Sequence, residues 1–313
     1  MRAIASVGIL VADVVAKPVS RYPERGVCVH VERMELHVGG CAANTGLALA
    51  KLGLPVRVVG RVGQDAFGDF VLQSLEQHGV DTRGVRRSPT ANTSSTMVMV
   101  HLDGERSFIH HMGADAEFCP DDIDWSLLSD CAIFHLAGAY LMPQMDGEPA
   151  ARTLQEAKRR GMTTCLDTTW DSSGQWMQVL APCLPYLDYI TPNYGEARML
   201  TGETEPSAIA QRLLEAGVGA VAIKMDARGC YVRTRERAFH LPACAVEVVD
   251  MLGAGDCFTA GWLAGLALGW DLHRTARLAN AVGALGVSAL GATTGVRTLA
   301  ETLEFMERQC PDS

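Results

Sequence analysis

The chain has 313 residues, 48% of them hydrophobic and 20% charged, with a net charge of −9. That length can bury a large core, and one large domain with an appendage is the simplest division. The acidic balance argues against general nucleic-acid binding, and no run of about 20 apolar residues is present to cross a membrane.

In chain order, residues 1–10 carry one Arg and a short apolar run, and Asp13 and Lys17 follow at once. This reads as a buried first strand over 4–10 rather than a signal peptide. Further buried strands are predicted over 56–59, 132–136, 163–166, 189–191 and 220–224. Helical periodicity falls between them at 42–52, 67–78, 150–160, 196–200 and 209–216. After Asp256 the pattern is nearly all helical, at 256–269, 271–290 and 298–309. Alternation of this kind predicts βαβ units and a mainly parallel sheet covered on both faces.

Two segments break the rhythm. Residues 14–38 hold no helical pattern. Residues 93–112 read as strands 96–101 and 107–111, joined by Leu102-Asp103-Gly104-Glu105-Arg106, where Asp-Gly is a hairpin signal. Such an excursion is expected to form a small separate sheet, a candidate lid. Ten cysteines are dispersed, none at Cys-x-x-Cys or zinc-ligand spacing, so reduced thiols in a cytoplasmic protein are expected.

The candidate chemistry lies where predicted strands end and helices begin. Asp13, after the first strand, offers a carboxylate to two sugar hydroxyls, or is a loop acid. Gly39 and Gly40 allow close backbone approach, and Asn44 offers a donor and an acceptor to a polyhydroxylated ligand. Trp170 follows Asp167-Thr168-Thr169 and could stack on a sugar or nucleobase, or pack half-buried. Asn193 and Glu196, three apart, form either a helix capping box or a support for the water shell of Mg²⁺. Gly217-Val218-Gly219-Ala220-Val221-Ala222 echoes a dinucleotide fingerprint, but it precedes a strand instead of following one. Asp250-Met251-Leu252-Gly253-Ala254-Gly255-Asp256 passes through Gly-Ala-Gly into a helix. Read one way, its amides cradle an anion beside an acid; read the other, it is a tight connection with a capping Asp. No Gly-Lys-Ser/Thr follows, so it is not a Walker loop.

Taken together, Asp13, Gly39-Gly40…Asn44, Asn193-x-x-Glu196 and Asp250-x-x-Gly253-Ala254-Gly255-Asp256 resemble, over essentially the whole chain, the ribokinase-like (PfkB) carbohydrate kinases. The resemblance implies a three-layer α/β/α core, residues 1–13, 39–92 and 113–313, with a small β lid from 14–38 and 93–112. It implies ATP-dependent transfer of the γ-phosphoryl group to a hydroxyl of a sugar, sugar acid or sugar phosphate. Asp256 would be the general base, and the amides of Gly253, Ala254 and Gly255 would hold the transferring charge. Asp13, Gly39, Gly40 and Asn44 would hold the sugar. Asn193 and Glu196 would serve Mg²⁺ through water, Lys224 and Gly229 the nucleotide, and Asn280 the adenine side. Relatives often bind K⁺ at the Asp250 position, with carbonyls here at Gly286, Ala289, Gly291 and Gly295. They often pair into homodimers through the lid.

Two departures stand out. Met251-Leu252 replaces the usual hydroxyl residues, which leaves K⁺ open, and Cys41-Ala42 replaces Lys-Gly, which argues against ribose. Arg106, with His110 and His111 on the hairpin, is expected either on a carboxylate or phosphate of the acceptor or in solvent. A nucleoside kinase and a catalytically silent sugar sensor are the alternative functions.

Overall fold

The computed structural model describes residues 2–102 and 105–311; the Asp103-Gly104 hairpin signal lies outside them. The chain opens with β1 (Ala3–Gly8), β2 (Val11–Val19), β3 (Arg33–Gly39), α1 (Cys41–Lys51), β4 (Val56–Gly63), α2 (Ala66–Gln77) and β5 (Asp81–Ser88). It continues with β6 (Ser94–His101), β7 (Arg106–His111), β8 (Cys131–Ala139), α3 (Glu148–Arg159), β9 (Thr163–Thr168), α4 (Trp176–Leu180) and β10 (Tyr189–Ile190). Then come α5 (Tyr194–Thr201), α6 (Pro206–Glu215), β11 (Ala220–Lys224), β12 (Cys230–Thr234), β13 (Ala238–Leu241), α7 (Ala254–Ala267), α8 (Leu272–Val287) and α9 (Leu299–Gln309).

Nine described strands form one sheet in the order β13-β12-β11-β10-β9-β8-β1-β4-β5. From β11 to β5 every neighbour pair is parallel, and β12 and β13 add an antiparallel edge. Side chains alternate faces along a strand, so each central strand feeds two cores. In β1, Ile4 joins the cluster packed by α1, α2, α7, α8 and α9, whereas Ala5 and Val7 join the cluster packed by α3, α4, α5 and α6. The result is the expected three-layer α/β/α fold, and it brings the carboxyl ends of β8–β11 together with the starts of α1 and α7.

The sequence pattern missed β5, β12 and β13. All three lie at or next to a sheet edge. Edge strands are half-solvated and carry charges such as Arg83, Arg86, Arg87, Arg233 and Arg235 nearby, which hides the apolar signal.

The second sheet has the order β3-β2-β6-β7, with β2 parallel to β6 and the other pairs antiparallel. It begins at Val11, so Asp13 is not in a loop: it sits within strand β2. One further expectation is corrected. Cys244 and Cys310 form a disulfide, so the thiols are not uniformly reduced. The end of α9 folds back on the segment after β13, where the Ala245 N–H donates to the Gln309 carbonyl (3.0 Å), and this sets the two cysteines side by side.

Candidate active site

Gly253 caps α7 in the left-handed conformation (φ 70, ψ 4). A Cβ there would stand 2.5 Å from the Ala292 carbonyl oxygen, so the turn requires glycine. The chain enters a 14-residue helix whose first residues are Ala254, Gly255 and Asp256. The amides of Gly255 and Asp256 lie in the first turn, where the helix offers no acceptor and its dipole is positive. The Ala254 N–H bends back to the Met251 carbonyl (3.3 Å), so that amide is shared.

Asp256 is met by the start of α1. Gly40, at φ 90, lets the chain pass close over the Ile9 carbonyl and enter that helix. Asn44 Nδ2 then donates to Asp256 Oδ2 (2.8 Å), while the buried Asn44 Oδ1 has no partner among the described residues. The Cys41 thiol lies against the same carboxylate. Burial, and secondarily the nearby Asp167 charge, push the Asp256 pKa up to about 6, against the opposing pull of Asn44 and Lys224.

Beneath Asp256 lies a buried ion pair. Lys224, at the end of β11, donates from Nζ to Asp167 Oδ1 (2.7 Å) and Oδ2 (2.8 Å), at the carboxyl end of β9. Thr259 of α7 adds a third donor to Asp167 Oδ2 (2.9 Å). The ammonium also faces Gly255, 3.3 Å from where a Cβ would be. Burial pulls the Lys224 pKa down, but Asp167 and Glu196 outweigh it and the net shift is upward.

At the next strand end, Asn193 caps α5 by accepting the Glu196 N–H (2.8 Å), and Glu196 Oε2 accepts the Asn193 N–H (3.2 Å). Thr168 Oγ1 donates to the same Oε2 (2.8 Å). The capping box is therefore real, and it leaves Glu196 Oε1 and Asn193 Nδ2 without hydrogen bonds among the described residues. Burial lifts the Glu196 pKa to about 7. No group of three or more His, Cys, Asp or Glu among the described residues could hold a metal directly. A water-mediated Mg²⁺ ligand fits these residues; a direct cage does not.

The small sheet supplies a polar row in register: His37 on β3 pairs with Asp13 on β2, Asp13 with Thr96 on β6, and Thr96 with His110 on β7. Thr96 Oγ1 lies 3.1 Å from His110 Nδ1. Burial raises the Asp13 pKa, against the pull of Thr96 and His37. A Cβ on Gly39 would stand 2.1 Å from Asp13 Oδ2, so a side chain there would displace that carboxylate. Arg106 is not a solvated hairpin charge: its guanidinium donates to the Asp250 carboxylate.

Comparison with known proteins agrees with this geometry. Residues 1–299 match the profile of the pfkB family carbohydrate kinases. The chain belongs to that family. It is 27% identical over 298 residues to the 2-dehydro-3-deoxygluconokinase of Bacillus subtilis, covering 91% of each chain. Among solved structures, an E. coli protein provisionally named ribokinase II, in complex with ATP and Mg²⁺, superposes with a TM-score of 0.85 at 27% identity, over 98% of this chain and 99% of that one. Arabidopsis thaliana ribokinase, complexed with ribose and ATP, gives 0.86 at 26% identity, over 98% of each.

Within this kinase, two of the expected residues sit apart from Asp256. Gly229, at φ 85, allows the turn into β12 to pass 2.0 Å, measured from a would-be Cβ, from the Leu241 carbonyl oxygen. Asn280 of α8 donates to the Pro242 carbonyl (3.0 Å), so both shape the segment that follows β13. No sequence motif marks His37, Thr96 or His135. His135 is fully buried on β8 near Asp167 and Lys224, and burial lowers its pKa to about 4. Period-two counting from Asp13 across a paired sheet would have found the first two, had the register been known. A separate cavity of about 550 Å³ lies at the opposite end of the main sheet, lined by Thr163, Tyr189 and Ala220 at the amino ends of β9, β10 and β11. It holds none of these groups.

Proposed function

We propose that this kinase transfers the γ-phosphoryl group of ATP to a hydroxyl of a neutral sugar, with Asp256 as the general base. One observation carries the reading: Asn44 and Asp256, 212 residues apart, share a hydrogen bond directly beside the Gly253–Gly255 turn. That pair joins a hydroxyl-binding amide, a proton acceptor and an anion cradle at one point. Asp256 takes the proton of the acceptor hydroxyl, and the unpaired Asn44 Oδ1 accepts from a neighbouring hydroxyl. The amides of Gly253 and Gly255, with a lesser share from Ala254, whose N–H also bonds the Met251 carbonyl, stabilise charge on the phosphoryl group as it moves, and a free preorganised donor of this kind is worth about 3 kcal/mol. Lys224 adds a positive charge on the cradle's far side. Mg²⁺, held through water by Glu196 and Asn193, neutralises phosphate charge when bound.

The acceptor lies under the small sheet, against Asp13, His37, Thr96 and His110, with Gly39 and Gly40 at its edge. The sheet acts as a lid that excludes water, a competing phosphoryl acceptor. Because Arg106 is committed to Asp250, a neutral sugar is favoured over a sugar acid or sugar phosphate. The exposed Trp170, edge-on to Trp176 at 5.1 Å, supports a nucleoside acceptor as the second reading. Gly229 and Asn280 shape the nucleotide side. On the outer face of the small sheet, Leu36, Val14, Met97 and Ile109 form a cross-strand apolar row, which suits pairing of two copies through their lids. A cytoplasmic location is part of this reading, since ATP is abundant there.

The test is ADP release screened across neutral sugars, sugar acids, sugar phosphates and nucleosides. Turnover on neutral sugars is expected. Sugar binding without ADP release on any acceptor would replace the kinase with a sensor.

A further inference from the structure

Asp250 stands where the chain turns toward Gly253, and three groups hold its carboxylate. Oδ1 accepts the Leu252 N–H (2.7 Å) and Oδ2 accepts the Gly291 N–H (2.9 Å). The third is the guanidinium of Arg106, 144 residues away on β7 of the small sheet. The two amides belong to different loops, and those loops meet at the cradle, because Gly253 packs directly on Ala292, next to Gly291. Asp250 therefore stitches both walls of the turn, and Arg106 ties that stitch to the small sheet. On β3, His37 also lies against the same loop, with its Nδ1 3.6 Å from a would-be Cβ on Gly291.

The charge balance gives the contact a purpose. The Asp250 side chain is 4% exposed and that of Arg106 is 19% exposed. A buried carboxylate without a counter-charge would repel the phosphate that must sit a few residues along the chain, and in a low-dielectric site that repulsion is strong. Arg106 cancels it. Oδ1 is filled by two of these donors, and a monovalent cation at this place would face the positive charge of Arg106, so the residues do not fit one.

We propose that Arg106 is a positioning residue for phosphoryl transfer: it provides, from within the chain, the positive charge at Asp250 that would otherwise come from a dissolved cation. It thereby fixes the cradle to the seating of the small sheet. The inference rests on the kinase reading above. It has two consequences: turnover is independent of K⁺, and order in the cradle depends on contact with β7.

The test compares the full-length wild type with Arg106→Met and Arg106→Lys, in potassium and in choline chloride. Three quantities are measured: ADP release on the best acceptor, MgATP affinity, and amide hydrogen exchange over 250–256 and 287–293 without ligands. Wild-type turnover is expected to be equal in the two salts. Arg106→Met is expected to lose about tenfold in turnover in choline, the size of one close charge pair, and to recover part of it in potassium, while Arg106→Lys keeps most of the rate. Exchange at Leu252 and Gly291 should quicken about tenfold in Arg106→Met and stay slow in Arg106→Lys. Several-fold activation of the wild type by potassium would overturn the proposal. So would Arg106→Met with wild-type exchange and wild-type turnover in choline. If the wild type released no ADP on any acceptor, the kinase reading would fall, and the exchange arm would still decide whether Arg106 holds the cradle.

Discussion

The cradle at the start of α7 and the polar face of the small sheet are built in opposite ways. The cradle is contiguous: Gly253, Ala254, Gly255 and Asp256 follow one another, and their backbone does the holding. The sheet face is assembled across four strands, from residues 13, 37, 96 and 110, and its side chains do the holding. A backbone device tolerates little substitution and serves any acceptor, because it touches only the group being transferred. A side-chain face is open to change and selects the acceptor. On the proposed reading, the chemistry of this kinase sits in the cradle, and its specificity in the small sheet.

Substitutions in the two regions should separate accordingly. Asp256→Asn removes the proposed base and should lower turnover about a thousandfold or more, with MgATP affinity within about threefold of wild type by calorimetry. Lys224→Met leaves Asp167 buried without its partner. It should cost about 3–5 kcal/mol of stability in urea unfolding, and a loss below about 1 kcal/mol would mean that Asp167 is not held by this pair. Asp13→Asn acts on the sheet side and should raise KM for the acceptor about tenfold with a smaller change in kcat. A fall in kcat alone would move Asp13 into the chemistry and blur the division. The mildest effect is expected for Ile109→Asp on the outer face, which should break the proposed pairing of two copies and shift sedimentation from dimer to monomer, with stability changed by about 0.5 kcal/mol or less.

The same contrast explains what the sequence could tell. The parallel core was legible because its strands are buried on both faces and its helices are periodic, and the glycine turns were legible because short motifs carry them. Asn193 and Glu196 were readable as a capping box or as Mg²⁺ support, and the structure has the box. The register of the small sheet was not legible. Pairing of Asp13 with His37 and Thr96 depends on which residues face each other across strands, and no local pattern encodes that. The reach of Arg106 to Asp250 is equally hidden, since a hairpin arginine looks solvated until the sheet is seen to fold over the cradle. The Cys244–Cys310 disulfide was missed because dispersed cysteines give no sign of which two the fold brings together.

The central claim is that an ionised Asp256 accepts the proton of the acceptor hydroxyl, and the pH dependence of kcat/KM tests it most directly. Burial raises the Asp256 pKa from an ordinary carboxylate value to about 6, and the base works only when deprotonated, so activity should be lost as pH falls through that value. The account predicts a rising limb with a midpoint near pH 6 in the wild type, absent from the residual activity of Asp256→Asn. A flat profile between about pH 5 and 8, or the same limb surviving in Asp256→Asn, would contradict it.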